Sequence, residues 1–419
     1  MSNARHYKTA LEDCIPFHKK QTGGPTAFDH NLFAAERRGR MNVLNSGLEK
    51  LEISESPKAG RLARPPYSLA GLITLLLLLV SCSGNDGLTL EQLTVQLLAG
   101  KGYPADVEFT KREFIPYLNG EWIGNAVSYG PYRKGQAPGV NGPSEAEILE
   151  DLQLISRHWN LIRVYASDDD SERVLKVLRD NELPIKVMLG VWLENETDKP
   201  ARREQNIKQV LRGIELANEY PELLAAINVG NETQVFWSGH RMLGEDLIRY
   251  VRAVRKHTLL PVTVADDYNF WNKPESKALA AEVDLIVCHM YAMWNGKTLD
   301  NAIVWTDSTY RAIRLAYPEH AIVLGETGWA TIYNAEKTGP DEQGTLIKGE
   351  VSVRAQGEFL IALDKWIEEN QVTTFLFEAF DEPWKGGGEA SGPNEVEKHW
   401  GVFFEDRTPK PSFERFLNQ

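Results

Sequence analysis

The sequence predicts a closed (β/α)8 barrel of the TIM-barrel type, forming a single catalytic domain, and three observations carry that expectation. Apolar, β-rich runs alternate with amphipathic helical segments from residue 111 to the C terminus, the pattern of successive parallel β/α units. The runs number eight, and residues 111–419 are enough for one such barrel, which needs about 250 residues or more as a single domain. No glycine-rich GxGxxG turn follows the first run, which weakens the open, dinucleotide-binding sheet that shares the alternation.

The first strand is expected over 123–130, and "PSEAEILEDLQLISRHW" supplies the helix after it. Pro143 and Ser144 open that segment, Glu147 stands three residues after the serine as in a capping box, and Ile148, Leu152 and Ile155 repeat at helical spacing. Strands follow at 161–166, 185–192 and 224–230, with the apolar stripe of "ARREQNIKQVLRGIELANEY" between the last two. The helical "EDLIRYVRAVRKH" leads to strands at 262–266, 285–291 and 321–325, and "SVRAQGEFLIALDKWIEEN" leads to the eighth at 374–380. Asp168 to Asp170 read as a solvated loop and helix start, because the alternating loop of calcium motifs is missing. "KGGGEASGP", residues 385–393, reads as a flexible rim loop, and "HWGVFFEDRTPKPSFERF" as the final helix with its packing residues.

A formal net charge of −13 argues against a nucleic-acid surface and against electrostatic attachment to anionic lipid, while leaving neutral substrates open. Cys14, Cys82 and Cys288 are too few and too scattered for a disulfide framework or a zinc site. Asp266 and Asp267 with Cys288 and His289 could suggest a metal, but they show no recognisable ligand spacing. No metal or other cofactor is expected, and the protein is expected to be a monomer.

Residues 69–80 form an apolar run after Arg61 and Arg64, the length of a signal-peptide core and shorter than the roughly 20 residues of a spanning helix. A short hydrophobic anchor or a buried helix is the competing reading. The run ends in Leu79, Val80, Ser81 and Cys82, which resemble a bacterial lipoprotein box. The resemblance implies cleavage before Cys82, lipidation of that cysteine and a membrane tether through acyl chains alone. It also implies a place in the cell envelope, on the outer membrane in preference to the inner, facing the periplasm or the surface. Residues 61–81 would then be the signal peptide and 82–110 a linker and lead-in. Cys288 would stay alone in the mature domain, without an intrachain disulfide. Residues 1–60 are polar and mixed in charge, unlike a secretory leader, so they are expected to be a non-native or disordered extension, with translation starting at Met41 or closer to Arg61.

In such a barrel chemistry sits at the carboxyl ends of the strands. Glu232 lies just past the expected fourth strand in "NVGNE", and Glu326 just past the seventh in "IVLGETGW". Each alone reads equally well as a helix cap. Together they are the pair glycoside hydrolysis requires, one to protonate the leaving oxygen and one to attack the anomeric carbon or activate water. Tyr129, Tyr132, Trp192, Trp237, Trp294, Trp329 and Trp384 fall at or just beyond strand ends, where aromatic rings either pack in the core or stack on sugar faces.

The Asn-Glu after strand four and the Glu after strand seven resemble the retaining glycosidases built on (β/α)8 barrels. "VSYGPY", "NVGNET", "GETGW", "FEAFDEPWK" and "HWGVFFEDRTPKP", in that order over about residues 114–417, are similar to glycoside hydrolase family 17, and "GPYRKGQAPG" to its bacterial branch. The resemblance implies β-1,3-glucan as substrate and retention of configuration, with Glu232 as general acid/base and Glu326 as nucleophile. It puts Asn231 on the sugar 2-hydroxyl, Tyr291 on the nucleophile, and Glu382 and Lys385 by the cleft, with Lys385 near the nucleophile carboxylate. Tyr129, Tyr132, Trp329 and Trp384 are expected to contact substrate. A retaining pair should stand about 5 to 5.5 Å apart. The same residues would serve a β-1,3-glucanosyltransferase, and a non-catalytic glucan-binding lipoprotein or a glycosidase for another polymer are further alternatives.

Overall fold

The computed structural model describes residues 88–334, 345–385 and 395–418. Cys82, the leader, residues 1–60 and positions 386–393 of the glycine-rich loop lie outside them. Eight parallel strands close into a barrel: β1 Asn125–Ser128, β2 Leu161–Val164, β3 Lys186–Val191, β4 Leu224–Asn231, β5 Val262–Asp267, β6 Leu285–His289, β7 Ala321–Thr327 and β8 Thr374–Leu376. β8 closes the ring by pairing with both β7 and β1. The helices are α1 Glu145–Ile155, α2 Asp169–Asp180, α3 Pro200–Glu219, α4 Gly244–His257, α5 Ser276–Ala280, α6 Leu299–Ala316, α7 Val353–Asn370 and α8 Pro411–Leu417. A capped helix, Leu90–Leu98, and a small hairpin, Tyr117–Leu118 with Glu121–Trp122, precede the barrel.

Each expected strand is present, but the ends differ where they matter. β7 runs on to Thr327, so Glu326 belongs to the strand itself, and β4 includes Asn231. β6 stops at His289, which leaves Tyr291 two residues beyond it. α1 begins on the expected capping box: Ser144 accepts from Glu147 N, and Glu147 Oε2 accepts from Ser144 N at 2.8 Å. Asp168 caps α2 by accepting from Ser171 N at 3.0 Å.

Strand alternation sorts side chains into two cores. Ala126, Leu161, Met188, Ala226, Ala265, Val287, Val323 and the larger Phe375 fill the barrel interior. Their neighbours along each strand, including Val127, Tyr129, Ile162, Val164, Ile227, Val229, Ile286 and Cys288, join the layer under the helices. Arg163, at the parity of Leu161, and His289, at the parity of Val287, therefore face inward at the carboxyl end of the barrel. Among the described residues no helix is long and apolar enough to cross a membrane.

Candidate active site

Glu232 follows β4 in the left-handed region, at φ 50°, directly after Gly230 at φ 85° and Asn231. Few side chains sit there at low cost, and such conformations persist where the surroundings enforce them. Here β5 does so. Glu232 N donates to Ala265 O at 2.9 Å, and the buried Asp266 carboxylate accepts from Gln234 N at 2.8 Å and Val235 N at 3.1 Å, clamping the turn after Glu232.

Glu326 is held from several strands. Arg163 Nη1 donates to its Oε1 at 2.8 Å, Tyr165 hydroxyl to the same oxygen at 3.0 Å, and Tyr291 hydroxyl to Oε2 at 2.8 Å. Arg163 also reaches Asn231 Oδ1 at 2.6 Å through Nη2. Because a guanidinium only donates, the amide of Asn231 must turn its oxygen to Arg163, which leaves Nδ2 to donate elsewhere. Gly325 makes room for the neighbouring strand β6: a Cβ there would lie 2.3 Å from Val287 Cγ1 and 2.9 Å from His289 Cδ2.

The two glutamates titrate in opposite directions. Burial pushes Glu232 well above the usual carboxylate range, and the charge of Glu326 pushes it further. Burial also works against ionisation of Glu326, but Arg163 and the hydroxyls of Tyr291 and Tyr165 hold that carboxyl below its usual value. One carboxylate oxygen of each and a ring nitrogen of His289 all lie within 4.8 Å of one another. Such a donor set could hold a metal ion, but the Arg163 guanidinium already supplies positive charge to Glu326 there. The two oxygens thus stand closer than the about 6.5–9.5 Å that separates an inverting pair.

Other expected residues are placed differently. Tyr129 is buried at 1% exposure in the layer under the helices, and its hydroxyl donates to Asp151 of α1, so it packs the barrel wall and does not face the mouth. The alternation decides this, since Tyr129 is one residue out of phase with the inward positions. Trp329 is equally buried, tilted against Phe359 of α7 with its Nε1 on Glu350 O, and is a packing residue. Lys385 does not reach Glu326. Its Nζ meets Glu378 Oε2 at 2.6 Å and Glu382 Oε2 at 2.5 Å. Tyr132 is mostly covered, bonded to Asp170 and edge-on to Trp384, which is 38% exposed and donates to Glu382 Oε1 at 3.0 Å. Gly130 gives Glu382 its place, because a Cβ there would lie 2.0 Å from Oε1.

Arg163, Tyr165, His289, Glu378 and Glu397 complete the neighbourhood, and the sequence reading assigned none of them to the site. A charged residue within "NLIRVYA" and a histidine within "IVCHMY" were the available signals, since an ionisable group in an otherwise apolar strand needs a buried partner. Burial raises the Glu378 carboxyl far above its usual range, while Glu382 stays below it because Lys385 and neighbouring hydrogen bonds overcome its burial. Glu397, on the single turn Glu395–Lys398, is raised to about 6 by burial, with Lys385 pulling it down and Glu326 pushing it up.

A parallel eight-stranded barrel with two carboxylates of opposed acidity at its carboxyl end defines a barrel glycosidase. Residues 126–401 match the BtgE/BtgC glycoside hydrolase domain, and the chain belongs to that family. It is 29% identical over 280 residues to a glucan 1,3-beta-glucosidase of Arthroderma benhamiae, covering 64% of this chain and 83% of that one. A putative glucan endo-1,3-beta-glucosidase btgC of Aspergillus niger is 29% identical over 289 residues, covering 64% of this chain and 40% of its own length. The chain thus spans most of the first relative but about two fifths of the second. Among solved structures, an endo-laminarinase from Formosa shares the fold at TM-score 0.60 and 24% identity, over 71% of this chain and 88% of that one. A β-1,3-glucanosyltransferase from Rhizomucor miehei does so at 0.53 and 22%, over 69% and 96%.

Proposed function

We propose that this glycosidase cleaves β-1,3-glucan with retention of configuration, as a family 17 enzyme of the bacterial branch. The observation that carries the mechanism is the Glu232–Glu326 pair, within 4.8 Å and driven to opposite protonation states. Glu326, ionised and held by Arg163, Tyr165 and Tyr291, attacks the anomeric carbon. Glu232, protonated, gives its proton to the departing oxygen and then deprotonates the water that releases the sugar. Asn231 Nδ2 is free to donate to the 2-hydroxyl, a contact that strengthens in the transition state. The names of the relatives, glucan 1,3-beta-glucosidase and glucan endo-1,3-beta-glucosidase, support the substrate.

The test is reducing-sugar release from a linear β-1,3-glucan, with the anomeric form of the new end followed by NMR. Wild type should release the β-anomer first, and Glu326→Ala should release none. Equal release by both would overturn the assignment, and an initial α-anomer would overturn retention. Product length on defined laminari-oligosaccharides separates outcomes within the same chemistry: products longer than the donor show glucanosyl transfer. The lipobox reading belongs to this proposal too, and places the enzyme in the cell envelope on an acylated Cys82.

A further inference from the structure

His289 lies between the two catalytic glutamates, and the double displacement as described gives it no part. The imidazole is fully buried, with Nδ1 3.0 Å from Glu232 Oε1 and Nε2 3.3 Å from Arg163 Nη1. Arg163 Nη1 also donates to Gly325 O at 3.0 Å and to Glu326 Oε1 at 2.8 Å, which uses both of its hydrogens. A ring N–H at Nε2 would be set against those donors, which favours the tautomer whose single proton sits on Nδ1 and points at Glu232. Nε2 also lies 3.5 Å from Glu326 Oε1, close to a carboxylate to which it has no proton to give.

The charged surroundings of the ring agree with a neutral imidazole. Arg163 faces it from β2, Glu232 from the end of β4, Asp266 and Asp267 from β5, and Glu326 from β7. Burial lowers its affinity for a second proton, and Arg163 opposes that proton as well, against the pull of Glu326, Asp266 and Asp267. Glu232 keeps 19% of its side chain exposed, and among the described residues its Oε2 has no hydrogen-bond partner.

From this geometry we infer that His289 is the positioning residue of the general acid: its neutral Nδ1–H holds Glu232 Oε1, so the catalytic proton is carried on Oε2. The inference rests on the two-glutamate reading. In the first step Oε2 delivers its proton to the leaving oxygen as the glycosidic bond breaks and Glu326 bonds to the anomeric carbon. In the second, Oε2 takes a proton from water, or from an acceptor sugar hydroxyl, as the new C–O bond forms and the bond to Glu326 breaks. The Nδ1–H bond to Oε1 persists through both and stabilises the carboxylate that exists between them.

Two measurements test it. In the full-length protein labelled with 15N-histidine, the His289 ring, identified by its loss in His289→Asn, should show a protonated Nδ1 and a bare Nε2 at neutral pH. A proton on Nε2 overturns the inference whether or not any glucan is cleaved, which keeps its failure apart from failure of the proposed function. In the pH profile of kcat/KM on β-1,3-glucan, His289→Phe removes the donor, so the alkaline limb set by Glu232 should rise by about one unit. The acid limb set by Glu326 should stay in place. His289→Asn returns an N–H near the position of Nδ1 and should bring the alkaline limb back toward wild type. A purely structural role would lower the rate at every pH and leave the limb unmoved. That result, or equal displacement by both variants, in protein that melts cooperatively, overturns the inference.

Discussion

Glu232 and Glu326 are chemically the same, and their surroundings alone give them different work. On the proposed mechanism activity needs Glu326 ionised and Glu232 protonated, so it should rise with pH through the lowered pKa of the first and fall through the raised pKa of the second. Tyr291→Phe removes one donor from the ionised form of Glu326, so its pKa should rise and the acid limb of kcat/KM should move up by about one unit. An unmoved limb would show that this hydroxyl does not hold the nucleophile. Glu232→Ala should cost about 10²- to 10⁴-fold on glucan, whose leaving group needs a proton. An aryl glycoside with an acidic leaving group should escape that loss in its first step and accumulate glycosyl-enzyme, visible by mass spectrometry. Absence of the adduct, with turnover on glucan intact, would sink the acid/base assignment. These two glutamates were legible as candidates because each sits at a strand end in a short polar context. Arg163 was not, because what brings it to the candidate site is convergence with Glu326 and Asn231 from distant parts of the chain.

At the scale of elements, the strands were readable from their apolar runs, but the face each residue takes depends on phase, and phase is fixed only when the barrel closes. Tyr129 shows the consequence: one position separates it from inward-facing Ser128, and it serves the helix layer. The turn after β4 shows the same dependence on a neighbour. Its left-handed Glu232 arises from Gly230 and from Asp266 on β5, neither of which declares that role in sequence. Asp266→Ala leaves the N–H groups of Gln234 and Val235 without their acceptor, a cost of about 1–3 kcal/mol for a buried donor. It also releases the turn that aims Glu232, and a displacement near 1 Å at a reacting group costs on the order of 10²-fold. The expected result is a lower urea midpoint together with a fall in kcat larger than any rise in KM. A variant that loses stability but keeps wild-type kcat would show that the clamp is structural only.

Across the whole molecule, the barrel is closed by its shortest partner in the site region: β8 contributes only Thr374–Leu376, and the chain beyond this strand must be braced from elsewhere in the molecule. The segment from residue 395 to 418 does so. Gln356 of α7 donates to the carbonyls of Trp400 and Gly401, Arg407 pairs with buried Asp151 of α1, and Lys410 Nζ, fully buried, bonds Asp381 Oδ1 and Thr331 Oγ1 at 2.8 Å each. Lys410→Met strands the Asp381 carboxylate in the interior, and removing one partner of a buried pair typically costs about 3–5 kcal/mol. Since Asp381 also accepts from Gly401 N at 3.0 Å, the loosened segment includes the turn bearing Glu397 beside the site, and activity should fall along with the unfolding midpoint. An unfolding free energy within about 1 kcal/mol of wild type would show that the pair does not brace the closure. The proposed tether is independent of this bracing, because every residue placed at the site lies within the compact unit Gly87–Gln419, downstream of Cys82 in the sequence. Cys82→Ser should therefore abolish incorporation of labelled fatty acid and move the enzyme out of the membrane fraction, while its rate on soluble β-1,3-glucan stays that of wild type. Acyl label persisting in Cys82→Ser would remove the lipobox reading and leave the barrel chemistry untouched, since nothing in the Glu232–Glu326 site depends on where the chain is anchored.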